Sequence, residues 1–388
     1  MTSRRKFLGM FSSGFLGLGL TGRAAGRPAS GQEAGPPQVR KYNVLGRTGL
    51  KVSDVSCGAI SLFNPNVLRY AFDCGVTYFD TAEGYLRTLS ETYLGQAFKG
   101  IRDKVVITTK HALQVPKDLD RAAIIRRMDA SLQRLQTEYV DVALVHNIGD
   151  LGVLKNEEVQ AAYAELKKTG KVRFTGFSTH NAKVTLDQAL TEPFVQVALF
   201  IYNHMEGPAL EPLVKKVREA GIGTVAMKVF AGNQQGRLKG LVNAATSYPQ
   251  AAIRWVLSSP LIDTCIPTMS SYAHVEEYLA ASDRALDRAA LQTIARYRRE
   301  AGALYCRVSC GECLSACPRG VAVNDVLRYA MYFEDYGMEK EAIRYYGELE
   351  TGRKPIDCRD CRGACENACP YGLRVRERLI RSHEILTG

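Results

Sequence analysis

The sequence predicts an α/β protein that consists of a (β/α)8 barrel of the TIM type and a smaller, α-helical C-terminal region. Over residues 41–279, short β-rich runs alternate with amphipathic stretches eight times, which is typical of βα units around a parallel sheet. No G-x-G-x-x-G motif follows an early strand, and this disfavours a doubly wound dinucleotide-binding sheet. A chain of 388 residues can hold one large barrel and an additional small domain.

The predicted elements follow the apolar periodicity. A hairpin is expected within residues 42–58, and the first barrel strand is expected to run into Val55. The other seven strands are predicted at residues 76–80, 104–110, 140–146, 172–178, 195–202, 224–229 and 263–267. Two intervening helices have clear apolar faces, which are formed by Ile124, Met128, Leu132 and Leu135, and by Val159, Tyr163 and Leu166.

We therefore expect five segments. These are an N-terminal signal (1–30), a linker (31–40), the barrel (41–282), a linking helix (283–300) and the C-terminal domain (301–388).

The N-terminal segment has the composition of an export signal. It reads Ser-Arg-Arg-Lys-Phe-Leu from Ser3 and continues with a mildly apolar run over residues 10–20, which resembles a twin-arginine signal. Arg23 ends that run too early for a permanent membrane span. We expect a periplasmic or extracytoplasmic protein. An ordinary secretory signal is the alternative, and the absence of a clear Ala-x-Ala site leaves open an uncleaved anchor.

The net charge of +11 does not indicate nucleic-acid binding. Five of these charges lie within residues 1–30, which contain no acidic residue, and the remainder of the chain carries only +6. No basic stretch alternates with stacking aromatic residues.

Three motifs at predicted strand ends carry a family resemblance. Residues 78–85 read Tyr-Phe-Asp-Thr-Ala-Glu-Gly-Tyr, residues 107–110 read Ile-Thr-Thr-Lys, and residues 144–147 read Leu-Val-His-Asn. Together they resemble the aldo-keto reductase family over roughly residues 41–282. The resemblance implies a catalytic tetrad of Asp80, Tyr85, Lys110 and His146.

The chemistry of these residue types fits that role. A carbonyl that accepts a hydride also needs a proton, which Tyr85 can donate if the Lys110 ammonium lowers its pKa. Asp80 would hold Lys110, and His146 would orient or polarise the carbonyl oxygen. Taken singly, Asp80 would also fit a helix cap, Tyr85 a packed ring and Lys110 a surface ion pair. Four such types at consecutive strand ends favour a site.

The expected cofactor pocket departs from the family pattern. The resemblance implies NADP(H) or NAD(H), but the residues that usually contact the cofactor are replaced by Thr179, Leu199, Met227, Thr268 and His274. The remaining candidates for cofactor binding are Ser178, Lys228, Met269, Ser270 and Ser271. The start of the helix after strand eight would suit a phosphate. A hydroxyl-capped helix and a solvated lysine are the alternative interpretation.

Eight of the eleven cysteines form two quartets near the C-terminus. The first reads Cys-x3-Cys-x2-Cys-x3-Cys-Pro from Cys306, and the second reads Cys-x2-Cys-x3-Cys-x3-Cys-Pro from Cys358. Both resemble the ferredoxin pattern C-x2-C-x2-C-x3-C-P. Disulfides or zinc sites are alternatives, but neither explains two quartets that end in Cys-Pro. Cys57, Cys74 and Cys265 stand alone, and we expect them to be buried.

The ferredoxin resemblance also implies how the quartets share ligands, because the cysteine before proline binds the other cluster. The first predicted ligand set is Cys306, Cys310, Cys313 and Cys369, and the second is Cys317, Cys358, Cys361 and Cys365. Each quartet has one gap that is a residue longer than usual, so two 4Fe-4S clusters are expected without being required. The long helical stretch between the quartets resembles an α-helical ferredoxin, whose tyrosines would cover the clusters or face a partner. Ala226-Met227-Lys228 and Met269-Ser270-Ser271 resemble the iron-sulfur subgroup of the aldo-keto reductases.

These features predict an exported iron-sulfur oxidoreductase that acts on a carbonyl or alcohol substrate, with clusters that relay electrons to a redox protein partner. Hydride transfer moves two electrons and each cluster carries one, so direct coupling would need an intermediary. The alternative is an electron-transfer or interaction subunit whose barrel has lost nicotinamide chemistry.

Overall fold

The computed structural model describes residues 37–113, 118–232 and 246–388. The predicted signal at residues 1–30 and most of the predicted linker lie outside these residues. The described chain begins with an antiparallel hairpin of β1 (Tyr42–Val44) and β2 (Lys51–Ser53), in which Asn43 pairs with Val52. This confirms the hairpin that the sequence predicts.

Eight parallel strands form a nearly closed (β/α)8 barrel in which each strand pairs with the next in chain order. They are β3 (Cys57–Gly58), β4 (Tyr78–Asp80), β5 (Val106–His111), β6 (Val140–Val145), β7 (Val172–Thr179), β8 (Val197–Ile201), β9 (Gly223–Met227) and β10 (Thr264–Cys265). Isolated bridges from Val55 to Cys265 and from Gly58 to Thr268 join the two ends of the sheet. The predicted fold class is therefore confirmed. The first barrel strand starts two residues after Val55, because Val55 makes only a single bridge.

Eight helices follow the barrel strands. They are α1 (Pro65–Asp73), α2 (Leu89–Phe98), α3 (Arg121–Leu135), α4 (Glu157–Lys168), α5 (Ala182–Ala189), α6 (Gly207–Glu219), α7 (Tyr248–Leu257) and α8 (Tyr272–Leu279). The Asp120 side chain caps α3 by accepting the Ala123 N–H at 2.7 Å. The predicted apolar faces of α3 and α4 are buried against the barrel.

The C-terminal region is helical. It contains α9 (Arg288–Ala301), α10 (Val323–Asp335), α11 (Glu339–Gly347), the short α12 (Ala364–Asn367) and α13 (Val375–Thr387). α9 begins five residues later than the predicted stretch, because the Asp287 side chain caps it by accepting the Ala290 N–H at 2.8 Å. α10 packs against both α11 and α13. In the described residues, no helix has the length and apolar character that a membrane span requires.

The barrel and the C-terminal helices share a hydrophobic core. One buried cluster contains Tyr248 of α7, Tyr297 of α9, Val326 of α10, and Tyr305 from the segment between α9 and α10. The rings of Tyr248 and Tyr297 stack with centroids 3.9 Å apart. Gly232, after β9, has φ +89°, and a Cβ atom there would lie 2.5 Å from the Tyr305 ring. This close approach requires glycine. The C-terminal region is therefore packed onto the barrel as part of one compact unit.

Candidate active site and cysteine region

A buried ion pair lies at the carboxyl ends of two neighbouring strands. Asp80 is the last residue of β4, and its Oδ1 accepts a hydrogen bond from the Lys110 Nζ of β5 at 2.5 Å. Lys110 Nζ also donates to the Thr81 carbonyl at 2.6 Å. Both charged side chains are at most 2% exposed. Burial lowers the pKa of Lys110 and raises that of Asp80, and the attraction between the two charges opposes both shifts.

Tyr85 and His146 lie beside this pair. The Tyr85 ring centroid is 4.9 Å from Lys110 Nζ and 5.7 Å from the His146 ring. Tyr85 opens a short 3-10 turn in which Leu86, Arg87 and Thr88 all have positive φ. Such backbone strain occurs where the surrounding structure holds a functional side chain. The structure thus brings together all four residues that the sequence predicts as a tetrad.

The expectation that the Lys110 ammonium lowers the pKa of Tyr85 is wrong. Burial raises the pKa of Tyr85 well above its usual value, and the nearby Asp80, Tyr345 and Tyr332 add to this effect. The Lys110 ammonium does not reverse it, since that charge is already paired with Asp80. Tyr85 is therefore a neutral phenol at physiological pH, which is the protonated form that a proton donor requires.

His146 is uncharged in this environment. Burial lowers its pKa to about 3, and the positive charges of Lys110 and Arg328 contribute to this shift. The pKa of His180 is likewise well below its usual value because of burial, Arg328 and Lys228. His180 Nδ1 is also hydrogen-bonded to Asn147 Oδ1. Both imidazoles can therefore form hydrogen bonds to a ligand without carrying charge.

The tetrad opens into a cavity of about 620 Å³ that is lined by residues of the barrel and of the C-terminal helices. This volume is in the range of small-molecule sites. The C-terminal side of the cavity is formed by Arg328, Tyr329, Tyr332, Asp335, Tyr336, Arg344, Tyr345 and Glu348. These four tyrosines line the cavity and also belong to, or pack against, the hydrophobic cluster that contains Cys313, Cys358 and Cys365, so the expectation that the tyrosines between the quartets cover the clusters or face a partner stays a prediction. Tyr329 and Tyr332 lie on α10, Tyr336 follows it directly, and Tyr345 lies on α11.

The predicted cofactor residues divide into two groups. Ser178, Lys228 and Ser270 line the cavity, and Ser178 Oγ accepts the Asn147 N–H at 2.9 Å. Met269 is fully buried, and Ser271 caps α8 by accepting the His274 N–H at 3.2 Å, which matches the alternative interpretation of a hydroxyl-capped helix. Four of the residues that depart from the family pattern also line the cavity, namely Leu199, Met227, Thr268 and His274.

Lys228 connects the barrel to the C-terminal helices. It follows β9 with a positive φ of 53°, and its Nζ donates to the Tyr332 hydroxyl at 2.8 Å. The same Nζ lies 4.4 Å from the Tyr332 ring centroid and 5.4 Å from that of Tyr336. Burial and the charge of Arg328 lower the pKa of Lys228 to about 7. The sequence predicts Lys228 as a ligand-binding residue but does not indicate this contact.

None of the eleven cysteines forms a disulfide, and the three isolated ones are buried as expected. One small cavity is lined by Cys306, Cys310, Cys313 and Cys369, which is the first predicted ligand set. In the second set, Cys317, Cys361 and Cys365 are close enough to Cys358 to raise its pKa, although burial raises it most. Across the described residues, no three Cys, His, Asp or Glu side chains converge on a single-ion site. A 4Fe-4S cubane takes one thiolate on each of its four irons, and the four cysteines that line the small cavity supply that number.

A barrel carboxylate fixes the first cysteine loop. Glu206, after β8, accepts hydrogen bonds from the Tyr305 hydroxyl and from the Ser309 N–H, the latter at 3.1 Å. Tyr305 and Ser309 are chain neighbours of Cys306 and Cys310. The first cysteine set therefore lies directly against the barrel, on the face that also carries the cavity.

A (β/α)8 barrel with an acid-base group at its strand ends, covered by a helical region that can hold iron-sulfur clusters, defines an iron-sulfur oxidoreductase. Comparison with known proteins agrees. The sequence profile of the Aldo/keto reductase family matches residues 64–243, and that of the 4Fe-4S dicluster domain matches residues 292–374. The chain therefore contains an aldo/keto reductase domain followed by a 4Fe-4S dicluster domain.

The chain is similar to characterised relatives over the barrel. It is 29% identical to L-galactose dehydrogenase of Arabidopsis thaliana over 62% of this chain and 88% of that protein. It is 37% identical to a putative voltage-gated potassium channel subunit beta of Schizosaccharomyces pombe, but over only 38% of this chain and 47% of that protein. Among solved structures, an aldo-keto reductase of Klebsiella pneumoniae in complex with NADPH is 25% identical, with a TM-score of 0.56 over 69% of this chain and 96% of that one.

Proposed function

We propose that the barrel cavity interconverts a carbonyl compound and an alcohol, and that two 4Fe-4S clusters in the C-terminal region relay electrons between this site and a redox protein partner. The observation that carries the proposal is the placement of Asp80, Lys110, Tyr85 and His146 around one end of a cavity whose other side is formed by helices of the cluster-binding region.

The acid-base steps follow from the geometry. In the reducing direction, the carbonyl carbon gains a hydride, which brings the electron pair, and the Tyr85 hydroxyl donates its proton to the carbonyl oxygen. The phenolate that remains lies beside the Lys110 ammonium, which stabilises it while Asp80 holds the ammonium in place. Neutral His146 donates a hydrogen bond that orients the substrate oxygen. In the oxidising direction the same atoms act in reverse.

A nicotinamide dinucleotide fits the cavity only in part. The NADPH complex of the Klebsiella pneumoniae relative supports dinucleotide binding, and Ser178, Lys228 and Ser270 line the cavity where they can contact it. However, Leu199 and Met227 offer neither an amide to grip the nicotinamide carboxamide nor an aromatic ring to stack on it. A bound dinucleotide would supply hydride. With a hydride donor, Tyr85 supplies the one proton that the reaction needs; if the clusters supply two single electrons through an intermediary instead, the carbonyl carbon takes a second proton from solvent or from that intermediary.

The test begins with protein purified without oxygen. Denaturation should release stoichiometric NADP(H) or NAD(H) if the dinucleotide is the hydride donor, and a panel of aldehydes should be turned over with NADPH, NADH or reduced methyl viologen. Tyr85→Phe should abolish turnover with the iron content unchanged. Turnover at the wild-type rate in Tyr85→Phe would refute the role of the tetrad.

The second candidate function is that of an electron-transfer or interaction subunit. Two observations favour it: the apolar side chains of Leu199 and Met227 in the cavity, and the partial similarity to a putative potassium channel beta subunit. In that case no dinucleotide would be released, and no aldehyde would be turned over with any electron donor, although the clusters would still be reduced and reoxidised.

We also propose that the N-terminal segment directs export by the twin-arginine route to the periplasm or another extracytoplasmic compartment. The paired Arg4 and Arg5 before Phe7 and the weakly apolar run after them support this. Replacing both arginines with lysine should retain the protein in the cytoplasm with its clusters assembled. Normal export of that variant would argue for the general secretory route.

A further inference from the structure

We propose that Lys228 of the barrel and Arg328 of α10 together bind an anionic group, a carboxylate or phosphate, on the substrate of the cavity. This inference rests on the proposed function, since it specifies the substrate class of the same site. Arg328 lies outside the region that matches the aldo/keto reductase family, so the cluster-binding region would supply part of the substrate site.

Among the described residues, Lys228 forms no ion pair: the Glu206 carboxylate favours its charged form only from beyond ion-pair distance, and that carboxylate accepts hydrogen bonds from Tyr305 and Ser309 instead. Besides Lys228 and Arg328, three described cationic residues line the cavity, and each is paired with a carboxylate. The pairs are Lys110–Asp80, Arg127–Glu83 and Arg344–Glu348. Within residues 37–113, 118–232 and 246–388, no carboxylate lies within ion-pair distance of Lys228, and its acceptor is the neutral Tyr332 hydroxyl at 2.8 Å. An ammonium that lacks a carboxylate in such surroundings is stabilised when an anion binds.

Arg328 also has a guanidinium N–H group that, among the described residues, is free to bind an anion. The residue is 5% exposed and lines the cavity. Its Nη2 donates to Asp325 at 2.7 Å and to the Tyr329 hydroxyl at 3.4 Å. Its Nε is buried and finds no hydrogen-bond partner in the part of the chain that the structure describes. A buried guanidinium donor without an acceptor is costly unless a ligand supplies one, and a planar anion such as a carboxylate suits the guanidinium geometry.

The two cations act on the same end of the cavity. Lys228 Nζ contacts Tyr332, which lies one turn of α10 from Arg328, and Lys228 and Arg328 both line the cavity into which the tetrad opens. The charge of Arg328 accordingly lowers the pKa of Lys228 and that of His146. The sequence predicts both the start of α8 at Ser270 and Lys228 itself as phosphate-binding residues, and both line the cavity. We assign Lys228 and Arg328 to a substrate anion because Arg328 lies outside the region that matches the aldo/keto reductase family, and the adenosine bisphosphate probe below tests the alternative of a dinucleotide phosphate.

The experiment compares two aldehydes that differ in charge. Terephthalaldehydic acid carries a carboxylate opposite its aldehyde, and its methyl ester is the neutral analogue. Binding of each to the full-length protein with intact clusters is measured as ligand-dependent thermal stabilisation, with adenosine 2′,5′-bisphosphate as a probe of the dinucleotide site. We expect the acid to bind at least about tenfold more tightly than the ester, as a charge-assisted hydrogen bond allows.

Variants identify the residues. Arg328→Gln should weaken binding of the acid by about tenfold or more and leave the ester unchanged, whereas Arg328→Lys should restore part of the affinity. Arg381→Gln is the matched control, since Arg381 is paired with Glu334 of α10 but is exposed and does not line the cavity. Cluster absorbance in every variant confirms that the C-terminal region is folded.

Three results would overturn the inference: equal binding of acid and ester to the wild type, no binding of the acid, or an Arg328→Gln effect on the adenosine bisphosphate alone. The last would assign the cations to a dinucleotide phosphate. Tyr85→Phe separates the two proposals, because it should abolish turnover while the acid still binds. Binding of the acid that depends on Arg328 without any carbonyl turnover would refute the proposed function and leave the anion site standing.

Discussion

The ion pair between Asp80 and Lys110 gives the sharpest test of the site, because an exposed pair in the same chain serves as its control. Asp80→Asn keeps the size and shape of the side chain and removes its charge. The Lys110 ammonium, 1% exposed and 2.5 Å from Asp80 Oδ1 in the wild type, would then lack a counter-ion. Breaking a buried pair costs about 3–5 kcal/mol. We expect the lower value, about 3 kcal/mol, because Lys110 keeps its hydrogen bond to the Thr81 carbonyl.

The assay is thermal unfolding of the cluster-loaded protein at fixed scan rate, combined with carbonyl turnover. A loss of about 3 kcal/mol lowers the unfolding temperature by about 4 °C, because a compact unit that spans residues 36–388 has an unfolding entropy of about 0.7 kcal/mol/K. Turnover should be lost as well, since burial then lowers the pKa of Lys110 without opposition from Asp80 and removes the cation beside Tyr85. Asp80→Asn combined with Lys110→Met should recover about 2 kcal/mol, because no unpaired charge remains.

The control is Asp129→Asn. Asp129 and Lys171 form a pair at 2.6 Å, but their side chains are 41% and 35% exposed, so the loss should be below about 1 kcal/mol. Equal destabilisation by Asp80→Asn and Asp129→Asn would refute the claim that burial makes the loss of a counter-ion costly. Unchanged turnover in Asp80→Asn would refute the role of the Asp80–Lys110 pair in catalysis.

Three further predictions concern the proton donor, the buried histidines and the cysteines. Tyr85→Phe should lower carbonyl turnover by about a hundredfold or more, measured in steady state at equal iron content; a smaller loss would mean that another group supplies the proton. Burial lowers the pKa of His111 to about 4 and that of His204 to about 3. Both side chains are therefore neutral in the folded protein, but they become charged in the unfolded chain below about pH 6.5. The free energy of unfolding is therefore unaffected by these histidines above about pH 6.5, and it decreases as the pH is lowered from there toward the folded-state pKa values. At pH 5 each histidine should cost about 2 kcal/mol relative to pH 7, visible as a lower unfolding temperature while cluster absorbance persists; an unchanged temperature would contradict this. Cys369→Ser should remove about half of the iron, because Cys369 lines the cavity of the first set, whereas Cys265→Ala, in the barrel, should retain it; equal iron content in both variants would refute the ligand assignment.

Much of the barrel could be predicted from the sequence because its signals are local. The apolar faces of α3 and α4 and the order of the strands follow from periodicity, and the tetrad follows from residues placed at strand ends. The starts of the first barrel strand and of α9 are less accurately predicted. Both depend on one contact each, the bridge of Val55 to Cys265 and the cap at Asp287.

The C-terminal side of the cavity could not be predicted in the same way. Spacing places Tyr329, Tyr332 and Tyr336 near one face of α10, but a helix face does not reveal which surface it contacts. The contact of Tyr332 with Lys228 joins residues 104 positions apart. The direction of the Tyr85 pKa shift is mispredicted for a related reason: burial raises that pKa most, and the electrostatic contributions of Tyr345 and Tyr332 depend on how the C-terminal helices pack on the barrel.

The central claim is that the barrel site and the clusters exchange electrons. The most direct measurement reduces the clusters anaerobically, removes the excess reductant, adds a carbonyl compound that the wild type turns over together with a catalytic amount of free flavin, which accepts single electrons and passes them on in pairs, and follows cluster absorbance. The account predicts reoxidation of the clusters in the wild type, in proportion to the alcohol formed, and none in Tyr85→Phe. Clusters that stay reduced in the wild type while the carbonyl is consumed with another donor would contradict it.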